Sequence, residues 1–304
     1  MDIMEFLKMV AFPILKMILL LTLPFLFIGI INKVKAKFAG KKGASVFQPY
    51  YDCWKLFQKG AVISETATGI FSLAPTINLA CLIVAGLIVT VIYFEGDFIL
   101  FSYLLALGKF VSILGAMDTG SSFEGMGASR EASYTSLIEP AFFIIVASLY
   151  ALNGSYSFAS LGNIFKSNND IMILIALATV FALFLIILIE GSRVPVDDPK
   201  THLELTMIHE VMVLDNSGPD LAFIQYSAGL KMMLYATIIS MTIAPASFIG
   251  YVLVTLGIAV LIGAVEALCA RIRLTHIIGY TFTLIVAALI VMALVLLIMH
   301  GGHL

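Results

Sequence analysis

The chain contains a long apolar run that ends in a group of charged residues: Ile171-Met-Ile-Leu-Ile-Ala-Leu-Ala-Thr-Val-Phe-Ala-Leu-Phe-Leu-Ile-Ile-Leu-Ile189, then Glu190-Gly-Ser-Arg-Val-Pro-Val-Asp197. Hydrocarbon about 30 Å thick requires roughly 20 apolar residues per helix, so this run predicts a membrane-spanning helix. A carboxylate at the end of such a helix is costly unless it meets a partner or water. Glu190 therefore predicts a proton or substrate site, with Arg193 as the nearest candidate partner.

Similar apolar runs recur along the 304 residues. Hydrophobic residues make up 61% of the chain, charged residues 12%, and the mean hydropathy is +1.06, which excludes an ordinary soluble domain. About eight runs reach spanning length, at residues 10–31, 70–94, 98–117, 132–153, 171–190, 228–247, 249–269 and 277–299. They are continuously apolar rather than alternating, unlike the strands of a membrane barrel. The sequence predicts an all-α polytopic protein in which residues 1–304 form one integral membrane domain, with the first run retained rather than cleaved.

Positive charge is distributed unevenly between the loops. It concentrates after the odd-numbered runs, at Lys33, Lys35, Lys37, Lys41, Lys42, Lys55, Lys59, Arg130, Arg193, Lys200, Arg271 and Arg273. The opposite loops carry Glu95, Asp97 and Lys166. The positive-inside rule therefore predicts that both termini lie outside. It also predicts that the three long loops, residues 32–69, 118–131 and 191–227, face the cytoplasm.

The first long loop combines a basic segment with an amphipathic one. Phe47, Tyr50 and Trp54 recur among polar residues after Gly43, which indicates an interfacial amphipathic helix. Two interpretations stay open, since the lysines either fix topology and contact anionic lipid or dock a soluble partner. The candidate docking residues are Lys41, Lys42, Gln48, Asp52 and Lys55.

Motifs in the loops argue against several kinds of chemistry. Gly125 and Gly127 have no preceding strand and no third glycine, which favours a bend or close helix packing over phosphate binding. His209 and Glu210 begin a zinc-like motif whose second histidine is replaced by Val213. The three cysteines, Cys53, Cys81 and Cys269, have neither disulfide nor iron–sulfur spacing.

The last long loop contains two prolines and two histidines. Pro195 and Pro199 exclude a continuous helix over residues 194–200, and a helix is expected to restart near Thr201. His202 and His209 would then share one helix face, about two turns apart. That spacing favours hydrogen bonding over metal binding.

Ionisable residues lie inside the apolar runs, at Lys109, Glu139, Glu190, Lys231 and Glu266. Lys231 and Glu190 lie near helix ends, so they either snorkel toward the interface or take part in a site. Carboxylates that converge within one bundle suit a hydrated proton path, because burial disfavours the ionised form and a nearby cation restores it. The candidate proton-path residues are Glu139, Glu190, Glu204, Glu210 and Glu266.

Several segments together resemble one family, the membrane-anchor subunit shared by respiratory complex I (its quinone-site subunit 1) and the energy-converting (group 4) nickel–iron hydrogenases, including formate hydrogenlyase. The resemblance covers nearly the whole chain. The matching segments are Lys33-Val-Lys-Ala-Lys-Phe-Ala-Gly-Lys-Lys-Gly43, Gln48-Pro-Tyr-Tyr-Asp-Cys-Trp-Lys-Leu56, Asp118-Thr-Gly-Ser-Ser-Phe123, Gly127-Ala-Ser-Arg-Glu-Ala132 with the later Glu139, the ExxRxPxD element from Glu190 to Asp197, and Ser217-Gly218.

Two segments are similar to the hydrogenase branch rather than to complex I. The first segment is Pro195-Val-Asp-Asp-Pro-Lys-Thr-His-Leu-Glu-Leu-Thr-Met-Ile-His-Glu210, where complex I usually reads PFDLPEAESELVAGY. In the second segment, Glu266 lies five residues before Arg271, which is similar to the hydrogenase branch. The resemblance implies a non-catalytic subunit of an oxidoreductase complex in a prokaryotic cell membrane, one that seats the hydrophilic redox arm and begins the lateral ion pathway. Structural or coupling roles in the loops are expected for Arg130, Arg193, Asp197, Asp198, His202 and His209.

The resemblance also implies partners. These are the hydrophilic nickel–iron large and small subunits, iron–sulfur subunits and antiporter-like membrane subunits within the lipid bilayer. The nickel–iron centre and the iron–sulfur clusters belong to those partners, and this chain is expected to bind no metal, no other cofactor and no nucleic acid. Whether protons or sodium ions are translocated stays open at this point.

Four alternatives to this interpretation stay open. Two are redox complexes: complex I with a quinone pocket, and a ferredoxin-linked complex without hydrogenase activity. A stand-alone ion carrier would be expected to show internal repeats, and none is found in the sequence. A passive anchor would not need Glu139, Glu190 and Glu266.

Overall fold

A computed structural model of the protein describes residues 11–155, 157–158, 161, 170–197, 207–243 and 247–301. Within these ranges the chain forms helices and no strand, which confirms the all-α prediction. The helices are α1 (Phe12–Thr22), α2 (Pro24–Phe38), α3 (Gln48–Phe57), α4 (Gly69–Thr90), α5 (Asp97–Asp118), α6 (Ser122–Asn153), α7 (Asp170–Glu190), α8 (His209–Met212), α9 (Gly218–Ile243), α10 (Phe248–Leu268) and α11 (Leu274–Gly301).

Six helices of the described part, α4, α5, α6, α7, α10 and α11, are long and apolar enough to cross a membrane. Helices α1 and α2 add a seventh span if they are counted as one bent helix, with a bend of 59°. Pro24 begins α2 and has no backbone N–H, which explains why the predicted run 10–31 is broken rather than continuous. The predicted run 228–247 lies largely on α9, which falls outside this set, so the count of eight stays a prediction.

Two loops are shorter than the hydropathy pattern predicted. Helix α6 begins at Ser122, so most of residues 118–131 are helical, and α9 begins at Gly218 rather than near residue 228. Both predicted boundaries were wrong for the same reason. Hydropathy detects the apolar part of a helix, whereas backbone hydrogen bonding continues through the polar turns that precede it.

Helix α9 lies at the centre of the bundle. It packs against α1, α2, α3, α4, α7 and α10, while α11 covers α6 and α7. Its buried residues include polar ones such as Ser227, Thr237 and Ser240. Polar side chains are tolerated on a helix that contacts other helices rather than lipid. This explains why α9 can contain these polar residues.

Helix α3 is the amphipathic helix predicted for the first long loop. Cys53 packs against Phe25 of α2 and Ala222 of α9. On the outer side, Tyr51 and Trp54 are 60% and 67% exposed. The helix is confirmed, and its position at the membrane interface stays a prediction.

Candidate functional site

Four charged side chains from four helices meet in a row of ion pairs, and none of them is more than 17% exposed. Lys109 Nζ of α5 lies 2.6 Å from Glu190 Oε1 of α7 and 3.0 Å from Glu131 Oε1 of α6. Lys231 Nζ of α9 lies 3.3 Å from Glu190 Oε2. We call these four residues the central ion-pair chain. Two lysines and two glutamates balance in charge, which offsets part of the cost of burying them.

The partners of Glu190 differ from the one expected from sequence. Both of its carboxylate oxygens are paired with lysines, and Arg193 instead places Nη1 3.2 Å from Glu266 Oε1. Helix α7 ends at Glu190, and Ser192 then adopts a φ of 52°, a left-handed value that is rare for a residue with a side chain. Because the helix stops between them, Glu190 and Arg193 pair with different neighbours.

A second charged cluster surrounds Arg193. Glu266 Oε2 lies 3.4 Å from Lys35 Nζ, so this carboxylate is paired on both oxygens. Arg193 and Glu266 are 6% and 5% exposed. Glu266 is therefore joined to the loop after α7 and to α2 rather than to the central ion-pair chain.

Asp197 connects three segments of the chain. Its Oδ1 lies 3.1 Å from Arg271 Nη2, and its Oδ2 accepts hydrogen bonds from the backbone N–H groups of Ile208 and His209, at 3.1 and 3.0 Å. The side chain is buried. Asp197 thus holds the loop after α7 against the start of α8 and against the link between α10 and α11. These contacts agree with a structural role for the loop, which stays a prediction.

Glu139 lies on α6 beside the central ion-pair chain. Among the described residues, its carboxylate forms neither an ion pair nor a hydrogen bond with another side chain or with the backbone. It lines a small cavity of about 30 Å³ together with Lys109, Glu190 and Thr135, whose Oγ1 is buried without a described partner. That space is enough for one or two water molecules between Glu139 and the chain.

The remaining predicted residues are scattered. Arg130 Nη1 donates to the carbonyl of Met207 at 2.8 Å, which ties α6 to the segment before α8. His209 and Glu210 begin α8. Asp198, His202 and Glu204 lie outside the described residues, as does the helix expected near Thr201. The structure therefore brings Glu139 and Glu190 together, and it pairs Glu266 with Arg193 and Lys35 instead.

Glu131 is a member of the central ion-pair chain that the sequence analysis missed, because it was assigned to a loop. The signal was present, since residues 131, 135 and 139 follow one another at i, i+4 and i+8 on α6. Gly127 of the same helix meets Met212 of α8, where an added Cβ would lie 3.0 Å from its Cγ. The prediction of close helix packing at this glycine is thereby confirmed.

A cavity of about 300 Å³ lies beneath α3, and we call it the α3 cavity. Apolar residues such as Phe25 and Ile28 line one part, and Arg193, His209 and Glu210 line another. Arg193 Nε and Asn32 Oδ1 are buried without hydrogen-bond partners among the described residues, and both belong to its wall. The cavity can accept a molecule with a polar head and an apolar body.

The predicted docking residues lie in and before α3. Lys41, Lys42, Asp52 and Lys55 are exposed, and the half-buried Gln48 donates from Nε2 to Asp52 Oδ1 at 2.8 Å. Their accessibility is compatible with docking and does not test it. Among the described residues, no three His, Cys, Asp or Glu side chains are arranged to hold a metal ion.

Comparisons with known proteins give one consistent family. A family model described as NADH dehydrogenase matches residues 10–298. Hydrogenase-4 component C of Escherichia coli (strain K12) is 32% identical over 239 residues, which are 76% of this chain and 74% of that protein. Formate hydrogenlyase subunit 4 of the same organism is 26% identical over 234 residues, 74% of each chain.

A solved structure shows the same fold. A chain of the membrane-bound sulfane sulfur reductase (MBS), described as an archaeal respiratory membrane complex, matches with a TM-score of 0.77. The match covers 94% of this chain and 98% of that chain, at 19% sequence identity. At that identity the likeness concerns the fold alone.

Proposed function

Because the chain belongs to the NADH dehydrogenase family of complex I subunit 1-like proteins, we propose that it is the membrane subunit of a membrane-bound hydrogenase complex. In this role it seats the hydrophilic redox subunits and begins the ion pathway that runs along the membrane arm. The redox centres, a nickel–iron site and iron–sulfur clusters, belong to partner subunits. The relatives named for hydrogenase-4 and formate hydrogenlyase support this choice over other branches.

The central ion-pair chain is the observation that carries the proposal. Each contact from Glu131 through Lys109 and Glu190 to Lys231 is between 2.6 and 3.3 Å, within reach of direct proton transfer. A proton that moves from an ammonium to the neighbouring carboxylate leaves both groups neutral, so each step displaces little charge through the dry interior. A rigid anchor would be served equally well by apolar packing at these positions.

Glu139 is the group through which the proton leaves this chain of ion pairs. Its carboxylate has no described partner and shares a water-sized cavity with Lys109 and Glu190. A carboxyl group that is not held in an ion pair can take up and release a proton without breaking one. We infer that Glu139 passes protons on to the neighbouring membrane subunits.

The docking role rests on a different part of the molecule. Exposed lysines precede α3 in the sequence, and Asp52 of α3 lines the same cavity as the segment from Gly191 to Arg193. A rearrangement of a docked subunit would reach Arg193 through this segment, since Arg193 and Asp197 are separated by three residues. The ion pair between Arg193 and Glu266 would then transmit this rearrangement toward the end of α7 at Glu190.

Purification of the native complex tests the proposal. We expect nickel and iron in partner subunits, hydrogen evolution by the complex, and uncoupler-sensitive acidification of inverted membrane vesicles during turnover. A complex that lacks nickel and evolves no hydrogen would refute the hydrogenase assignment. Hydrogen evolution without any ion movement would refute the coupling role and favour the passive anchor.

The α3 cavity favours a second candidate, quinone binding as in complex I. Its volume of about 300 Å³ and its mixed polar and apolar lining suit a ring with an isoprenoid tail. Reduction of a quinone analogue by the purified complex, abolished by Phe25→Trp, would support this alternative. Hydrogen evolution that is insensitive to that substitution would support the main proposal.

A further inference from the structure

A second cavity touches the central ion-pair chain from another side. It lies between α4, α5, α8 and α9, has a volume of about 40 Å³, and is lined by Asn78, Glu190, His209, Asn216, Ser227 and Lys231 among others. We call it the α9 cavity. It contains Asn216 and Ser227, which the α3 cavity lacks, although the two share His209.

Two polar atoms in the wall of the α9 cavity lack protein partners. Ser227 Oγ and Asn216 Oδ1 are both buried and form no hydrogen bond with the described residues. Ser227 is only 1% exposed. A buried hydroxyl or amide oxygen without a partner costs about 1–3 kcal/mol, whereas a bound water molecule satisfies it. These atoms therefore indicate water inside the cavity.

We propose that the α9 cavity is the aqueous access route by which protons reach Lys231 and Glu190, with Ser227 and Asn216 as positioning residues that hold its water. The inference rests on the proposed function, and it adds the side from which protons enter the central ion-pair chain. Three titratable groups line the route: His209 on α8, Lys231 on α9 and Glu190 on α7. Asn78 of α4 contributes a further polar side chain.

The charges of the wall select the species that occupies the cavity. Lys231 Nζ lines the cavity and lies 3.3 Å from Glu190 Oε2, and the other oxygen of this carboxylate is 2.6 Å from Lys109 Nζ. A sodium ion beside Glu190 would therefore meet two ammonium groups and no unpaired carboxylate oxygen. Water has no net charge and can both donate and accept hydrogen bonds. The cavity thus serves protons rather than sodium ions.

The proton transfer balances at each step. A cavity water held by Ser227 Oγ or Asn216 Oδ1 takes up a proton from the His209 side as it releases another of its protons to the Glu190 carboxylate beside Lys231. The water stays neutral throughout, so no cation has to rest beside the two ammonium groups. No atom is gained or lost, and the positive charge moves on to the central ion-pair chain. The space of about 40 Å³ suits one to three water molecules.

The matched pair Ser227→Val and Ser227→Thr tests the role of the hydroxyl group. Valine and threonine have nearly the same shape, so both add the same bulk and only threonine retains the hydrogen-bonding group. In inverted vesicles, we expect proton pumping per complex to be about tenfold slower with valine than with threonine, the factor that corresponds to loss of one ordinary hydrogen bond. Equal pumping rates in the two variants would overturn the inference.

Glu190→Gln separates this inference from the proposed function. If Glu190→Gln blocks pumping while the Ser227 pair shows no difference, the route through the α9 cavity is wrong and the coupling role survives. If Glu190→Gln in an intact complex pumps normally, the proposed function itself fails. Replacement of sodium by choline in the buffer should leave the rates unchanged, and a requirement for sodium would overturn the assignment of protons.

Thiol labelling provides a readout that does not depend on pumping. Ser227→Cys is compared with Ser240→Cys, a fully buried position on the same helix that does not line the cavity. We expect a small methanethiosulfonate reagent to modify the cysteine at position 227 at least about tenfold faster, because thiolates form and react only where water reaches. Equally slow modification at both positions would contradict an access route that is open to solvent.

Discussion

Lys109 and Glu190 are separated by 81 positions in the chain, and their side chains meet at 2.6 Å between Nζ and Oε1. Both side chains are less than a tenth exposed. A buried ion pair of this kind adds little to stability over apolar packing, although breaking it by removing one partner is costly. A second lysine lies on the other carboxylate oxygen. This arrangement between α5 and α7 supports the coupling role proposed above.

Glu139→Gln should keep the complex stable and abolish ion pumping. The carboxylate has no described ion-pair partner, so the substitution leaves no buried charge unpaired, and an amide cannot carry a proton. The measurements are the thermal unfolding midpoint of the purified complex and acidification of inverted vesicles. Glu139→Asp serves as the control, because it retains the acid. Full uncoupler-sensitive pumping by the glutamine variant would contradict the relay role.

Glu190→Gln should both destabilise the complex and stop pumping. Lys231 loses its ion-pair partner among the described residues, whereas Lys109 retains Glu131, and an unpaired buried charge costs about 3–5 kcal/mol. Thermal unfolding should therefore begin at a lower temperature. The double variant Glu190→Gln with Lys231→Met should recover most of the lost stability without recovering pumping. Recovery of both would show that the pair is structural only.

Arg193 and Glu266 should show coupled effects in a double-mutant cycle. Arg193→Ala leaves Glu266 with Lys35 as its remaining described partner, at 3.4 Å, and this pair is more exposed on the lysine side. We expect each single substitution to reduce the yield of assembled complex, and the double substitution Arg193→Ala with Glu266→Ala to cost less than the sum of the two. Strictly additive losses would argue against the pair as a joint support of the loop.

Cysteine labelling from the two sides of the membrane should place the long loops in the cytoplasm. Ser45→Cys is expected to react with an impermeant reagent only in inverted vesicles, and Ser155→Cys only in right-side-out cells. The exposed Cys269 is replaced beforehand, whereas Cys53 can stay, because burial raises the pKa of its thiol and slows its reaction. Labelling with the opposite pattern would reverse the predicted topology.

Charge reversal around α3 should weaken docking of the hydrophilic subunits. The triple variant Lys41→Glu, Lys42→Glu and Lys55→Glu should reduce their copurification with this chain. The difference from the unchanged protein should be smaller at higher salt, because salt screens electrostatic contacts between exposed charges. Trp54→Ala provides the control, since it alters an exposed aromatic side chain of the same helix and no charge. Loss of copurification in the control alone would assign α3 to the membrane rather than to docking.

The sequence by itself determined the fold class and singled out candidate residues for an ion path. Continuous apolar runs can only be satisfied as helices in hydrocarbon, because each backbone polar group must find its partner within the same segment. Ionisable residues inside such runs are costly and therefore stand out in the sequence; they are Lys109, Glu139, Glu190, Lys231 and Glu266. Glu131 does not stand out, because its helical turn is polar and was assigned to a loop.

Only the tertiary structure decided which charges pair. Arg193 is three residues from Glu190, and yet Glu190 pairs with lysines of α5 and α9 while Arg193 pairs with Glu266 of α10. Sequence distance does not predict such contacts, because the turn at Ser192 ends the helix and helix packing brings distant segments together. The two water-sized cavities beside the central ion-pair chain likewise depend on how α4, α5, α6 and α9 meet, which no single helix encodes.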